Sequence, residues 1–157
     1  MIAFDILKQV KNTLGFIGFD AQTQQRSVKD SGRWMAELIA SGVLDPLNRT
    51  GDQEGARWKD GAVTTPKGFK DAYRQYVEGG WGALPIDAEW GGQGLPTVVS
   101  TPVEEMWCSA NMSFSLCPML TQGALHALQL RGAPALQKTF LPKMASGEWT
   151  GTMNLTE

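Results

Sequence analysis

Histidine occurs once in this chain, at position 126, and cysteine twice, at positions 108 and 117. A protein metal site normally draws on three or more ligating groups, so a solitary histidine among Leu125, Ala127 and Leu128 reads as a structural residue on a helix face. The two cysteines lack CxxC spacing and stand among apolar neighbours, a setting that suits buried, inert thiols rather than a redox pair or a metal cage. Charge of either sign is sparse as well: 14 basic against 16 acidic residues leave a net charge of −2, with Lys and Arg scattered along the chain. That distribution offers no electrostatic footprint for nucleic acid or an anionic membrane. No apolar run approaches the roughly 20 residues that span a bilayer, and the opening Met1-Ile2-Ala3-Phe4-Asp5 lacks the basic region of a signal peptide. The expectation is a cytoplasmic protein with no membrane span.

What the chain has in quantity is material for a core. Its 157 residues are 42% hydrophobic and include six Trp and six Phe, against 19% charged residues. A single domain of this size buries about 70% of the surface its unfolded chain exposes, and the composition is far from that of disordered segments.

The apolar periodicity is mainly helical. Phe4, Ile6, Leu7 and Val10 suggest a short first helix that Gly15 and Gly18 make hard to extend. From about Gln24 to Ala40, Val28, Met35, Leu38 and Ile39 share a face, and Ser41-Gly42 is expected to stop the helix. A long polar connection is expected from Val43 to Thr65, and inside it Asp60-Gly61 predicts the turn of a small β-hairpin. Thr65-Pro66 then has the chemistry of an N-cap and first helical position, followed by Phe69, Ala72, Tyr73, Tyr76 and Val77, with Gly79-Gly80 as terminator. A glycine-dense loop carries Trp81 and Trp90, whose indoles anchor it by burial. After Pro96 the spacing of Val99, Val103, Met106, Trp107 and Ala110 is helical, with Pro102 expected to kink or divide the helix. Two more helices are predicted, Pro118 to Leu130 and Pro134 to Met144, closing near Gly132 and Gly147. From Trp149 to Thr156 the residue types favour an extended strand.

Few residues qualify for chemistry. Ser113 and Ser115 lack the strand-to-helix elbow of a hydrolase nucleophile and read as capping or connecting residues. Gly91-Gly92-Gln93-Gly94 lacks the preceding strand, the Lys-Ser/Thr pair and the spacing of a phosphate-binding loop, which favours a tight turn between helices. Glu104 and Glu105 lie on a helix beside Met106 and Trp107, where a solvated face or an ion pair is the ordinary role of a carboxylate. No residue stands out as a catalytic acid or base, and none as a metal ligand.

Taken in order, several pieces resemble the acyl-CoA dehydrogenase family. They are Trp81-Gly82-Ala83-Leu84-Pro85, Glu89-Trp90-Gly91-Gly92-Gln93-Gly94, Glu105 through Ser113-Phe114, and Gly132 ahead of Lys138-Thr139-Phe140-Leu141-Pro142-Lys143-Met144-Ala145-Ser146-Gly147-Glu148-Trp149. Gly151-Thr152-Met153-Asn154-Leu155-Thr156-Glu157 completes the series, and the likeness covers roughly residues 75 to 157. The N-terminal part, with Trp58 and Asp60-Gly61, is similar to the extended bacterial members, among them the 3-methylmercaptopropionyl-CoA dehydrogenases.

The resemblance implies an all-α bundle of five to six helices with a minor β-hairpin, assigned to residues 1–147. Residues 148–157 would begin a β-domain that the sequence does not continue. It further implies an FAD-dependent α,β-dehydrogenation of an acyl-CoA thioester, with Met153, Leu155 and Thr156 lining the isoalloxazine and the thioester. The Thr156 hydroxyl would bond the pyrimidine edge of the flavin. In the family the catalytic glutamate comes from a C-terminal helical domain, so no catalytic residue is expected in this chain, and Glu157 belongs to the strand signature. An inactive fragment that retains no FAD is the resulting expectation. The complete enzyme would use an acyl-CoA substrate, an acceptor such as an electron-transfer flavoprotein, and a homo-oligomeric state. Two other readings stay open: a non-catalytic helical interaction module on the same scaffold, and a stand-alone acyl-CoA-binding domain.

Overall fold

The computed structural model describes residues 36–152, with side chains from residue 39 onward. The first expected helix lies outside the described residues, as does most of the second. The chain forms two compact units, one ending at Gly79 and the other beginning at Gly80.

In the first unit, a π-helical segment, Ala36–Leu44, leads directly into helix α1, Asp45–Glu54. Ser41-Gly42 therefore does not end the helical stretch. Leu44 keeps helical dihedrals (φ −80°, ψ −44°), and Pro46 falls in the first turn, where its missing N–H costs nothing. The expected polar connection is thus partly a helix. Its sequence, Asp-Pro-Leu-Asn-Arg-Thr-Gly-Asp-Gln-Glu, has one large apolar side chain, Leu47, and so no apolar stripe to announce it. Strands β1 (Arg57–Lys59) and β2 (Ala62–Thr64) pair antiparallel, Trp58 opposite Val63. Positive φ at Asp60 (50°) and Gly61 (79°) makes the two-residue turn the sequence called for.

Helix α2 spans Phe69–Glu78, starting later than Thr65-Pro66 suggested. Lys67-Gly68 forms a turn in which Phe69 N–H donates to the Pro66 carbonyl at 3.2 Å, with Gly68 left-handed at φ 90°. Pro66 is buried rather than helical. Both α1 and α2 pack on the π-helical segment, and among the described residues of this unit the apolar side chains of Ala40, Leu44, Ala72 and Tyr76 are buried besides that of Pro66.

The second unit opens with two 3-10 turns, Trp81–Ala83 and Ala88–Trp90. Helices α3 (Thr97–Ala110), α4 (Met112–Arg131) and α5 (Pro134–Ala145) follow, α3 packing on α4 and α4 on α5. Pro102 does not divide α3, which continues through it. The hydroxyls of Ser100 and Thr101 bond back to the Thr97 carbonyl at 3.2 and 2.9 Å in the preceding turn.

Helix α4 begins well before Pro118, which is buried inside it. The start is set by Asn111, an extended residue (φ −157°, ψ 91°) that serves two helices at once. Its N–H donates to Trp107 O at 2.9 Å and closes α3, while its Oδ1 accepts from Phe114 N at 3.0 Å and opens α4. Ser113 and Ser115 consequently lie in the first turn of α4, Ser115 with its hydroxyl on the Asn111 carbonyl at 3.0 Å. Helix α5 falls where Pro134 and Gly147 place it, within one residue at its end.

The core of this unit is Ile86, Leu125, Leu141, Met144 and Ala145, flanked by Trp90, Ala124 and Leu128. Glu148–Thr152 leaves α5 without entering a ladder, and the rest of the expected strand, 153–157, lies outside the described residues.

Asn111 is almost fully buried and caps a twenty-residue helix. Asn111→Ala is expected to cost about 1–2 kcal/mol in urea unfolding, with Asn111→Asp or Ser retaining most of the stability. Equal stability of the alanine variant would contradict the capping role.

Candidate functional site

The described residues weighed for chemistry fall in the second unit: Gly91 to Gly94 in the glycine-dense loop, Glu104, Glu105 and Cys108 on α3, and Ser113, Ser115, Cys117 and His126 on α4. The loop closes on itself. Gly91 N–H donates to Ala88 O at 3.1 Å, Gly92 to Asp87 O at 3.1 Å and Gln93 to Ala83 O at 2.9 Å. Gly94 donates to Ile86 O at 2.8 Å and Leu95 to Leu84 O at 2.9 Å. A phosphate cradle needs several amides pointing outward at one anion, and here each of these donors is already engaged. Gly92 is required by close approach, since a Cβ there would overlap the Ile86 carbonyl. The Gln93 amide adds a cross-brace from its Nε2 to Gly80 O at 3.0 Å. The segment is an ordered tight turn, as its composition suggested.

Two anchors tie this loop to the helices. Ile86 is fully buried among Leu125, Leu141 and Met144, and the Trp81 ring meets Trp107 of α3 edge-on at 5.8 Å and 63°. A polar tie runs alongside, from Gln122 Nε2 on α4 to the Gly82 carbonyl. Gln122 Oε1 and Trp81 Nε1 are both buried with no hydrogen-bond partner, leaving an acceptor on α4 and a donor on the loop it braces.

One residue along from that tie, Thr121 meets the chain where it leaves α5. Its Oγ1 lies 2.9 Å from the Cys117 carbonyl, to which it donates, and accepts from Gly151 N–H at 3.0 Å. Trp149 N–H bonds the Lys143 carbonyl at 3.1 Å, and Lys143 Nζ sits 4.3 Å from the Trp149 ring centroid while pairing with Glu148 at 3.2 Å. The backbone entering residues 153–157 is therefore held at Trp149 and at Gly151. Met153, Leu155 and Thr156, the residues expected at the flavin, lie outside the described residues.

Among the described residues the titratable groups form no acid–base constellation. Glu104 and Glu105 are exposed on α3. Partial desolvation pushes the Glu104 carboxyl above its ordinary 4.5, and His126 pulls it back. His126 lies on the exposed side of α4. The cysteines depart from expectation: Cys108 is half-buried and Cys117 exposed. Apolar neighbours in sequence do not fix burial on a helix whose outer face also carries Met112, Leu116 and Met119. Burial of part of the Cys117 side chain still raises its thiol above the ordinary 9.0, which disfavours the thiolate. No group of three or more potential metal ligands occurs among the described residues.

Asn111, Thr121 and Gln122 were not singled out from the sequence. The available signal was polarity out of place: Asn111 just before a helical pattern, and adjacent Thr121-Gln122 inside the apolar run of α4.

The chain matches the family model for the acyl-CoA dehydrogenase N-terminal domain over residues 36–148. It is 43% identical, over 149 residues, to a 3-methylmercaptopropionyl-CoA dehydrogenase of Ruegeria pomeroyi, an alignment covering 95% of this chain and 24% of that protein. Two butyryl-CoA dehydrogenases of Syntrophomonas wolfei are 39% and 38% identical over 122 residues, covering 76% of this chain and 20% of each. The chain thus spans a quarter or less of the length of these relatives.

Gly92→Ala is expected to cost at least about 3 kcal/mol, because the added methyl meets a backbone carbonyl that cannot rotate away. Trp90 emission should shift to the red as the loop opens, and unchanged emission and stability would contradict the closed loop. The raised Glu104 carboxyl sets a pH signature. Its folded form binds the proton more tightly, so its contribution is full below the ordinary value and lost as pH rises through the folded one. Glu104→Gln should gain stability relative to the parent as pH rises from below the ordinary 4.5, and a pH-independent difference would exclude the effect.

Proposed function

Since the chain belongs to the acyl-CoA dehydrogenase family, as its N-terminal domain, we propose that it forms the helical wall of a flavin-dependent site that dehydrogenates an acyl-CoA thioester across Cα–Cβ. The observation that carries this reading is the anchored exit of the chain. Thr121 and Lys143 fix the backbone at Gly151 and Trp149, immediately ahead of Met153-Asn154-Leu155-Thr156-Glu157. In this reading residues 1–147 are the helical domain and residues 148–157 lead into a β-domain.

The described residues suit a scaffold rather than a complete cofactor site. The loop amides are spent on internal hydrogen bonds, so the glycines offer no seat for the diphosphate of FAD. The fit is confined to the exit strand, where Met153 and Leu155 would flank the ring and the acyl thioester and Thr156 would bond the pyrimidine edge. An extended strand presents N–H, C=O and hydroxyl groups at fixed spacing, which suits a planar ring. When bound, the flavin supplies the acceptor for the hydride leaving Cβ. Removing the α-proton calls for a positioned carboxylate near a polarised carbonyl. We assign that carboxylate to a glutamate of a further helical domain, since neither Glu104 nor Glu105 faces a closed site.

The names of the relatives support a short acyl-CoA substrate, 3-methylmercaptopropionyl-CoA or butyryl-CoA being the first to try. An electron-transfer flavoprotein as acceptor, a homo-oligomeric enzyme and a cytoplasmic location complete the proposal. The exposed stripe of Met112, Leu116 and Met119 on α4 gives such an enzyme apolar surface to cover with its other domains or subunits.

The test compares this chain with the protein extended through β- and C-terminal helical domains. The extended protein should be yellow, carry about one FAD per subunit and oxidise a short acyl-CoA, whereas residues 1–157 alone should bind no stoichiometric FAD. A colourless, inactive extended protein would overturn the assignment and favour a helical interaction module on the same scaffold.

A further inference from the structure

We infer that Thr121 is a positioning residue that fixes the backbone leading to the flavin-facing residues by holding Gly151 in the crease between α4 and α5. The inference rests on the flavin reading of Met153, Leu155 and Thr156 and adds to it the group that fixes where they begin.

A threonine inside a helix commonly satisfies its hydroxyl on the carbonyl one turn back, and Thr121 does this with Cys117 O at 2.9 Å. That bond uses the only hydroxyl proton and turns the oxygen's lone pairs outward. Gly151 N–H points at them from 3.0 Å, across 30 residues of sequence, with Gly151 O a further 3.4 Å neighbour. Thr121 is itself buried, so the bond is shielded from competing water.

Gly151 is shaped for this place. A Cβ there would lie 2.7 Å from Ala124 Cβ, 2.8 Å from Met144 Cε and 3.4 Å from Thr121 Cα, so the backbone lies directly on both helices. Every residue but glycine would be lifted out of the crease, and any neighbour slipped into position 151 would carry a side chain into Ala124 and Met144. The hydrogen bond fixes which amide is seated, and the missing Cβ rejects the alternatives.

Register matters beyond this point because extended residues alternate faces. Under the flavin reading, a one-residue slip at Gly151 would displace Met153, Leu155 and Thr156 together, and in an extended chain would move each to the opposite face. This would remove both the ring-flanking side chains and the hydroxyl in a single step.

The test uses the complete protein containing this chain, with Thr121→Val, which keeps the shape and removes the hydroxyl, and Thr121→Ser, which keeps the hydroxyl. Thr121→Val is expected to weaken FAD binding by about tenfold or more, shift the visible spectrum of the bound flavin and lower kcat more than it raises KM. Thr121→Ser should return FAD affinity to within about threefold of the parent and restore the parent spectrum. In the apoprotein, exchange of the Gly151 amide should accelerate in the valine variant and not in the serine variant. Gly151→Ala, which leaves α4 untouched, is expected to reproduce the valine phenotype and decides the matter if Thr121→Val does not fold. A valine variant with a lowered Tm but parental FAD affinity, flavin spectrum and Gly151 exchange would overturn the inference. A parent protein devoid of flavin would instead overturn the reading on which it rests, while the amide-exchange comparison would still report whether the pin exists.

Discussion

Seating Ile86 between α4 and α5 is the contact on which the organisation of the second unit depends. Ile86 sits at the bend of the glycine-dense loop and is fully buried with Leu125 of α4 and Leu141 of α5. Burying each of these side chains is worth about 1.5–3 kcal/mol, so three of them outweigh any single polar bond in the unit. Once Ile86 is in place, its carbonyl closes the loop through Gly94, and the crowding around that carbonyl leaves Gly92 no room for a side chain. The α4–α5 pair that receives Ile86 near Leu125 also receives Gly151 near Ala124 and Met144. Loop and exit strand are thus located by one pair of helices.

This arrangement explains why the unit carries so little chemistry of its own. Its polar side chains are engaged in construction: Asn111 joins two helices, Gln93 braces the loop, and Gln122 ties the loop to α4. Among the described residues its carboxylates stand toward solvent and no potential metal cluster occurs. Under the proposed function the base and most of the cofactor contacts come from other domains, which calls for a wall of fixed shape here. Rigidity of that kind is what lets a first contact layer hold a reacting group within a fraction of an ångström. Among the described residues, Trp81 Nε1 and Gln122 Oε1 are the buried side-chain polar atoms that the construction leaves over.

Much of the fold was legible because the strongest signals are local. Asp60-Gly61 needs only positive φ to declare a hairpin, and Pro134 with Gly147 brackets α5 almost to the residue. Where reading failed, either a distant partner or a competing local signal decided. Helix α1 has no apolar stripe, and its hold on the fold comes from Leu47 and from Gly51, against which the Phe69 ring lies. The start of α4 was taken from Pro118 because proline favours first turns, yet the Asn111 cap begins the helix earlier and the proline is carried inside it. Thr65-Pro66 had the chemistry of a helix start, but the turn at Gly68 delayed α2. The family likeness was visible in ordered fragments around the glycine loop and α5. The pin between Thr121 and Gly151 was not, since nothing in either residue's neighbourhood reveals a partner 30 positions away.

The claim that the loop is closed by its own amides and locked by Ile86 is tested most directly by site-resolved hydrogen exchange. The N–H groups of Gln93, Gly94 and Leu95 should exchange with protection comparable to that of the α4 amides around Leu125, in one cooperative step. Rapid exchange of these three amides beside a protected α4 would mean that the loop opens independently of the helices, and the account of a rigid wall would be wrong.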